Sequence, residues 1–315
     1  MPGIDLSTNL LGAKLENPTV LASGILGTTG ALMASVANEG GAGAITSKSA
    51  SIKPRGGHPN PIVVDAIAEG GWMLNAVGLS NPGVEEKVEE IAHYRKLCGK
   101  PMIASVFAST AKEFGECAAL IARAKPDAIE LDESCPNMEG EFGALFCLNE
   151  RDAAKAVEEA RNSVPKSIPV FAKLSPSVPD IASIARACVE AGADGITAVN
   201  TAGPGMAIDI SRARPILANK AGGISGPALK PLAVRCVYDI YRELGGKVPI
   251  IGTGGVANGA DAIEMMMAGA SAVGIGTAAY TRGMNVFREV CREMEELMEK
   301  NGYSKARELV GMAHG

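Results

Sequence analysis

Eight short apolar runs recur along the chain, separated by stretches of helical periodicity. The runs are Thr19–Ala22, Ala42–Thr46, Met102–Val106, Asp127–Leu131, Ile168–Leu174, Asp194–Val199, Val248–Gly252 and Ala272–Ile275. They are nearly continuous in apolar residues, as expected of strands buried on both faces of a parallel sheet. Between them lie amphipathic stripes, with Val84, Val88, Ile91 and Leu97 marking one and Val286, Val290, Met294 and Leu297 another. Eight strand–helix alternations predict an α/β fold, a (β/α)8 TIM barrel, with a doubly wound sheet as the alternative. Long connections follow the second strand (47–83), the fourth (132–149) and the sixth (200–226). All three leave carboxyl ends of strands, the face on which barrels build active sites. The KLENP turn before Thr19 predicts an N-terminal β-hairpin capping the opposite end. With no linker or repeat in view, residues 1–315 read as a single domain.

Composition narrows the classes. At 47% hydrophobic and 21% charged, the chain has ample core material and no signature of disorder. Aromatics at 4% and a net charge of −5 argue against a nucleic-acid surface. No apolar run is long enough to cross a bilayer, and MPGIDLSTNL lacks the pattern of a signal peptide. The seven cysteines are scattered without a CxxC pair, and four fall in helical patterns, so a reduced, cytoplasmic protein without an iron–sulfur or zinc framework of its own is expected. His58 lies in a Gly/Pro loop, His93 on a charged helix face and His314 at what reads as a frayed end. This inventory predicts neither a metal site nor a Ser-His triad.

Four constellations could carry chemistry. GTGGVANG (Gly252–Gly259) and GIGTA (Gly274–Ala278) each stand where a strand turns into a helix, the place where barrels hold phosphate on backbone amides and a helix N-terminus. The plainer reading of these glycines is a tight turn, and neither is a Rossmann fingerprint. Lys173 ends an otherwise apolar strand and Lys48 ends another. Two cations at one barrel mouth point to an anionic ligand or a cofactor that becomes anionic, against the plainer reading of snorkelling surface lysines. Cys135 sits beside Pro136 and Asn137 on a loop, where a thiol is either a reactive group or an inert one. Asn75, in MLNAVGLSNPG (Met73–Gly83), could recognise a carboxylate or an amide, although as a lone motif it is weak.

Taken together, these residues resemble the dihydroorotate dehydrogenases, specifically the soluble class 1 enzymes. The likeness covers nearly the whole chain: ASG at Ala22–Gly24, SKS at Ser47–Ser49, MLNAVGLSNPG, SCPN at Ser134–Asn137, KLSP at Lys173–Pro176 and VNT at Val199–Thr201. It continues through ILANKAGGISGPALKP (Ile216–Pro231) and GGVANGADAIEMMMAGASAVGIGTA (Gly254–Ala278). Cys135 is similar to class 1, since class 2 has serine there and an N-terminal membrane segment. The wording of the longer motifs is closer to class 1B than to class 1A.

The resemblance implies FMN at the top of the barrel, at positions matching Ser23, Lys48, Ser49, Ser105, Asp132, Lys173, Val199, Gly226, Gly254, Gly255, Gly276 and Thr277. It implies substrate contacts at Lys48, the stretch Asn75, Ala76, Val77, Gly78 and Leu79, and at Asp132, Asn137, Asn200 and Thr201. Cys135 matches the catalytic base that takes the C5 proton of dihydroorotate while a hydride passes from C6 to flavin N5. Lys173 would stabilise reduced flavin, Lys48 would pair with the substrate carboxylate, and the loop Pro136–Cys147 would act as a lid. A homodimer is implied. Class 1B members pair with a second subunit carrying FAD and an iron–sulfur cluster and use NAD, whereas class 1A members work alone with fumarate. Two positions depart from the family pattern: Asp132 and Ser105 stand where asparagine is usual. A protonated Asp132 or a compensating neighbour is expected, since a lost partner costs about 1–3 kcal/mol. The alternatives are a related FMN barrel acting on another dihydropyrimidine and a flavin-free phosphate-binding lyase or isomerase. A non-catalytic scaffold would give no reason for two lysines and a cysteine on one barrel face.

Overall fold

The computed structural model describes residues 3–10, 12–133 and 146–315. All eight predicted strands form: β1 (Thr19–Leu21), β2 (Ala44–Thr46), β3 (Met102–Val106), β4 (Ala128–Asp132), β5 (Val170–Leu174), β6 (Gly195–Ala198), β7 (Ile250–Thr253) and β8 (Ala272–Ile275). They close a parallel barrel in chain order, β8 pairing β1 through Gly274 and Val20. Helices α1 (Gly30–Asn38), α2 (Val84–Leu97), α3 (Ala111–Ile121), α4 (Glu150–Ser163), α5 (Ile181–Glu190), α6 (Lys230–Leu244), α7 (Gly259–Met267) and α8 (Val286–Lys300) follow the strands in turn, giving the TIM barrel.

Alternate strand residues face opposite ways. Leu21, Ile45, Ala104, Leu131, Ala172, Ile196 and Ile275 join the helices in the main core. The other set fills the barrel. At its amino-terminal end this set is apolar: Val20, Ala44, Ile103, Ala128, Phe171, Ile251 and Ala272 form one cluster with Leu10 and Leu15. These two leucines come from the antiparallel hairpin Thr8–Leu10 and Ala13–Leu15, which plugs that end as the sequence predicted. Two residues further along β3, β4 and β5 the buried interior turns polar, with Ser105, Glu130 and Lys173, joined by Thr197 of β6. Water is excluded below and polar groups are gathered above, so the site has only one end available to it.

The connections after β2 and β6 pair with one another, which no local pattern predicted. Strands Val63–Ala66 and Trp72–Asn75 from the first join Gly222–Ser225 and Ala202–Gly205 from the second in a four-stranded antiparallel sheet. Leu74, Ala76 and Leu217 form its small core. The α2 stripe also differs from the predicted one. Val84, Lys87, Ile91 and Tyr94 are the buried residues, while Leu97 is exposed. His314 is not frayed: its ring stacks on Tyr238 at 3.9 Å and its Nε2 lies 3.0 Å from the Ala268 carbonyl.

Candidate active site

A cavity of about 370 Å³ opens at the carboxyl end of the barrel, under the added sheet. Ser23, Lys48, Ser49, Asp132, Lys173, Val199, Gly226, Gly254, Gly255, Gly276 and Thr277 line it, and so do Asn75, Val77, Gly78, Leu79, Asn200 and Thr201. Two predicted residues stand behind the wall instead. Ala76 is buried in the added sheet, and Ser105 lies beneath the floor. Cys135, Asn137 and all of the predicted lid up to residue 145 lie outside the described residues.

The floor is a continuous polar network built by the inward residues of adjacent strands. Lys173 Nζ donates to Ser23 Oγ at 2.6 Å and stands 3.8 Å from Glu130 Oε1. Ser105 Oγ donates to the same Glu130 oxygen at 3.0 Å, and its own oxygen lies 2.9 Å from Ser49 Oγ. Asp132 accepts from Ser49 Oγ at 3.3 Å and from Asn200 Nδ2 at 3.2 Å. Asp132 and Lys173 are register partners on β4 and β5. Asn200 and Ser49 thus both donate to the carboxyl group that stands where the family has an amide. Ser105, in place of a longer amide, uses its hydroxyl to tie Glu130 to Ser49 rather than to reach the cavity. Glu130 was missed by sequence reading, although its period-two spacing from Asp132 and its register beside the Lys173 strand place it on the inner face.

Glu133, next in the chain, is buried with both carboxyl oxygens lacking a hydrogen-bond partner among the described residues. Burial, reinforced by the neighbouring Asp132, pushes its carboxyl well above the usual range.

On the opposite wall the two glycine turns behave differently from one another and from expectation. The amino end of α7 is already satisfied by the protein. Asn258 caps it, Asp261 accepts the amides of Ala257 and Asn258, and Glu293 accepts that of Gly259 at 2.7 Å. The acceptors expected of a phosphate are therefore filled at this helix. The amides of Gly254, Gly255 and Gly276 meet no acceptor among the described residues, and all three glycines line the cavity. Gly255 has φ +76, and a Cβ there would fall 2.7 Å from Lys230 N. Lys230 in turn is held by Asp261 at 2.8 Å and Glu264 at 2.7 Å, and Arg282 by Glu293 at 2.8 Å and by the Ala257 carbonyl. This wall is a backbone cradle for an anion, braced from outside by two ion-pair clusters. No cluster of metal-ligating side chains occurs among the described residues, and no described helix is long and apolar enough to cross a membrane.

Comparison with known proteins agrees with this geometry. The profile of the family described as dihydroorotate dehydrogenase matches residues 5–298. The chain is 46% identical over 315 residues to a Methanocaldococcus jannaschii protein, covering 98% of each chain. It is 45% identical over 313 residues to one from Methanosarcina mazei, covering 98% of this chain and 95% of the relative. A Pyrococcus abyssi relative is 41% identical over 308 residues, with 98% and 99% covered. Each of the three carries the name dihydroorotate dehydrogenase B (NAD(+)), catalytic subunit. A barrel with a polar floor around Lys173, a cradle of glycine amides and matching sequence over nearly its full length places the chain in the dihydroorotate dehydrogenase family.

Proposed function

We propose that residues 1–315 form one barrel domain that oxidises dihydroorotate to orotate, with FMN as its resident flavin. The observation that carries this reading is the buried Lys173, hydrogen-bonded across the mouth to Ser23 and facing the cavity whose other wall offers three glycine amides. That cradle fits a flavin phosphate: Gly254, Gly255, Gly276 and Thr277 would hold it, with Val199 and Gly226 as further cavity-lining contacts for the flavin. When bound, FMN supplies the acceptor for the hydride that leaves C6 of the substrate.

The protein's own residues account for the remainder. Lys48 pairs with the substrate carboxylate. The stretch Asn75–Leu79, with Asn137, Asn200 and Thr201, recognises the ring, and Asp132 accepts a ring N–H. Cys135 removes the C5 proton; a free thiol has a pKa of about 8.5, so the site must favour its thiolate. Lys173, fixed by Ser23 and Glu130, offsets negative charge that accumulates on the flavin. The names of the relatives, which include NAD(+) and catalytic subunit, support a chain that passes electrons to NAD through a second subunit. FAD and an iron–sulfur cluster on that subunit, and a homodimeric core, rest on the family resemblance.

An anaerobic visible spectrum of the purified protein, before and after dihydroorotate, tests this. A flavin band at roughly 450 nm that bleaches on addition is the expected result. A band that bleaches with dithionite alone overturns the substrate and turns attention to Asp132. A colourless protein that cannot be reconstituted with FMN overturns the flavin reading.

A further inference from the structure

A lysine would ordinarily be assigned to the solvated face of α2, yet Lys87 is 1% exposed. Its Nζ donates to the carbonyls of Thr28 at 2.7 Å and Gly27 at 3.3 Å. The Gly27 carbonyl also accepts the backbone amide of Lys48 at 2.8 Å. One oxygen thus joins the buried Lys87 to the backbone of the cavity lysine. Gly27 has no room to move: a Cβ there would fall 2.8 Å from both Lys48 N and Thr46 O. Three residues along α2, Glu90 accepts the amide of Gly30, the first residue of α1. Helix α2 therefore holds the loop 22–29 at Gly27 and Thr28 and the helix that follows it at Gly30, and that loop carries Ser23, Gly24 and Ile25 into the cavity.

No carboxylate lies within ion-pair distance of Lys87 among the described residues. The charged groups acting on it are Glu86 and Glu90 on its own helix and Lys48 on the loop after β2. Loop 22–29 and α1, which also pack against it, carry none. Burial lowers its pKa to about 8, with Glu90 holding it up and Lys48 pushing it further down.

We infer that Lys87 is a positioning residue for Lys48, and that binding of an anion at Lys48 is coupled to the charge on Lys87. This rests on the proposed pairing of Lys48 with the substrate carboxylate. The two lysines repel each other, and an anion between Lys48 and solvent relieves the repulsion. Coupling is reciprocal: an anion at Lys48 favours protonated Lys87, and loss of that proton weakens the anion.

The test titrates orotate into the flavin-loaded protein from about pH 6.5 to about pH 9.5, reading the flavin spectrum rather than turnover. Lys87→Arg keeps its charge throughout, so its curve cancels any titration of orotate itself. The wild-type dissociation constant is expected to rise about fivefold relative to Lys87→Arg as pH passes about 8. Glu90→Gln keeps an acceptor for Gly30 but removes the charge that supports Lys87, and should move the break to lower pH. If Lys87→Arg fails to hold flavin, Glu90→Gln decides: a lowered break supports the coupling, and an unmoved one overturns it. Parallel wild-type and Lys87→Arg curves also overturn it while leaving the proposed function standing. Failure of the flavin-loaded wild type to bind orotate at any pH overturns both.

Discussion

Lys173 Nζ lies 2.6 Å from Ser23 Oγ, a contact between residues 150 positions apart that spans the barrel mouth from β5 to the loop after β1. With Glu130 at 3.8 Å on the neighbouring strand, it fixes a buried ammonium in one orientation. Lys173→Met should slow reduction of bound flavin by dihydroorotate about 100-fold, since it removes a preorganised charge from where negative charge develops. Stopped-flow reduction measures this directly. Ser23→Ala should have a smaller effect of the same sign.

Ser105 gives its proton to Glu130, so its oxygen is left to accept from Ser49. The single Ser49 proton then serves two acceptors, Ser105 Oγ and Asp132 Oδ2. An amide at position 132 could donate to Ser49 and still accept from Asn200. Asp132→Asn should therefore raise stability by about 1 kcal/mol in denaturant unfolding. It should also tighten orotate about fivefold by removing an acidic group that faces an anion.

Glu133 is a carboxyl group buried without a hydrogen-bond partner among the described residues. Its folded-state pKa is raised above the ordinary 4.5, so the native state keeps a proton that the unfolded chain has released. Its contribution to stability accordingly falls as pH rises above that value. Glu133→Leu should stabilise the protein by about 1–3 kcal/mol at neutral pH. The gain should shrink toward pH 4.5, as paired thermal melts would record.

Gly255→Ala introduces a Cβ 2.7 Å from Lys230 N at a backbone φ of +76. The atoms it meets are Lys230 backbone and Cβ, so either the backbone shifts or the left-handed conformation is strained. Loss of about 1–3 kcal/mol of stability is expected, together with reduced FMN per chain in the purified protein, measured by absorbance.

Lys87 makes the opposite pH prediction to Glu133. Its pKa is about 8 in the folded state against 10.5 for an ordinary lysine. Between those values the unfolded chain binds more protons, so stability rises with pH. Relative to Lys87→Met, the wild type should gain up to about 3 kcal/mol between about pH 7 and about pH 10 in denaturant unfolding.

Apolar runs determined the eight strands and their parallel pairing, because burial on both faces leaves a local mark on every strand, and the KLENP turn determined the hairpin plug. One inward polar residue was legible too. Lys173 breaks an apolar run, and such a residue survives there only when a site uses it or neighbours satisfy it. Asp132 was found through likeness to the family, and Glu130 was missed. Motif wording brought Ser23, Lys48, Asn75 and the glycine turns to one face, and the structure lines one cavity with them. Other features were decided only in three dimensions. The added sheet pairs Trp72–Asn75 with Gly222–Ser225, and nothing near either segment encodes so distant a partner. Ser105 was placed in the cavity by likeness, but its short side chain ends beneath the floor at Glu130 and Ser49. Lys87 is not among the residues of the predicted helix stripe, yet the carbonyls of Gly27 and Thr28, which only the closed barrel brings to it, make its burial possible. A sequence records which positions avoid water; which polar groups meet to make burial tolerable depends on contacts that the chain makes only once it has folded.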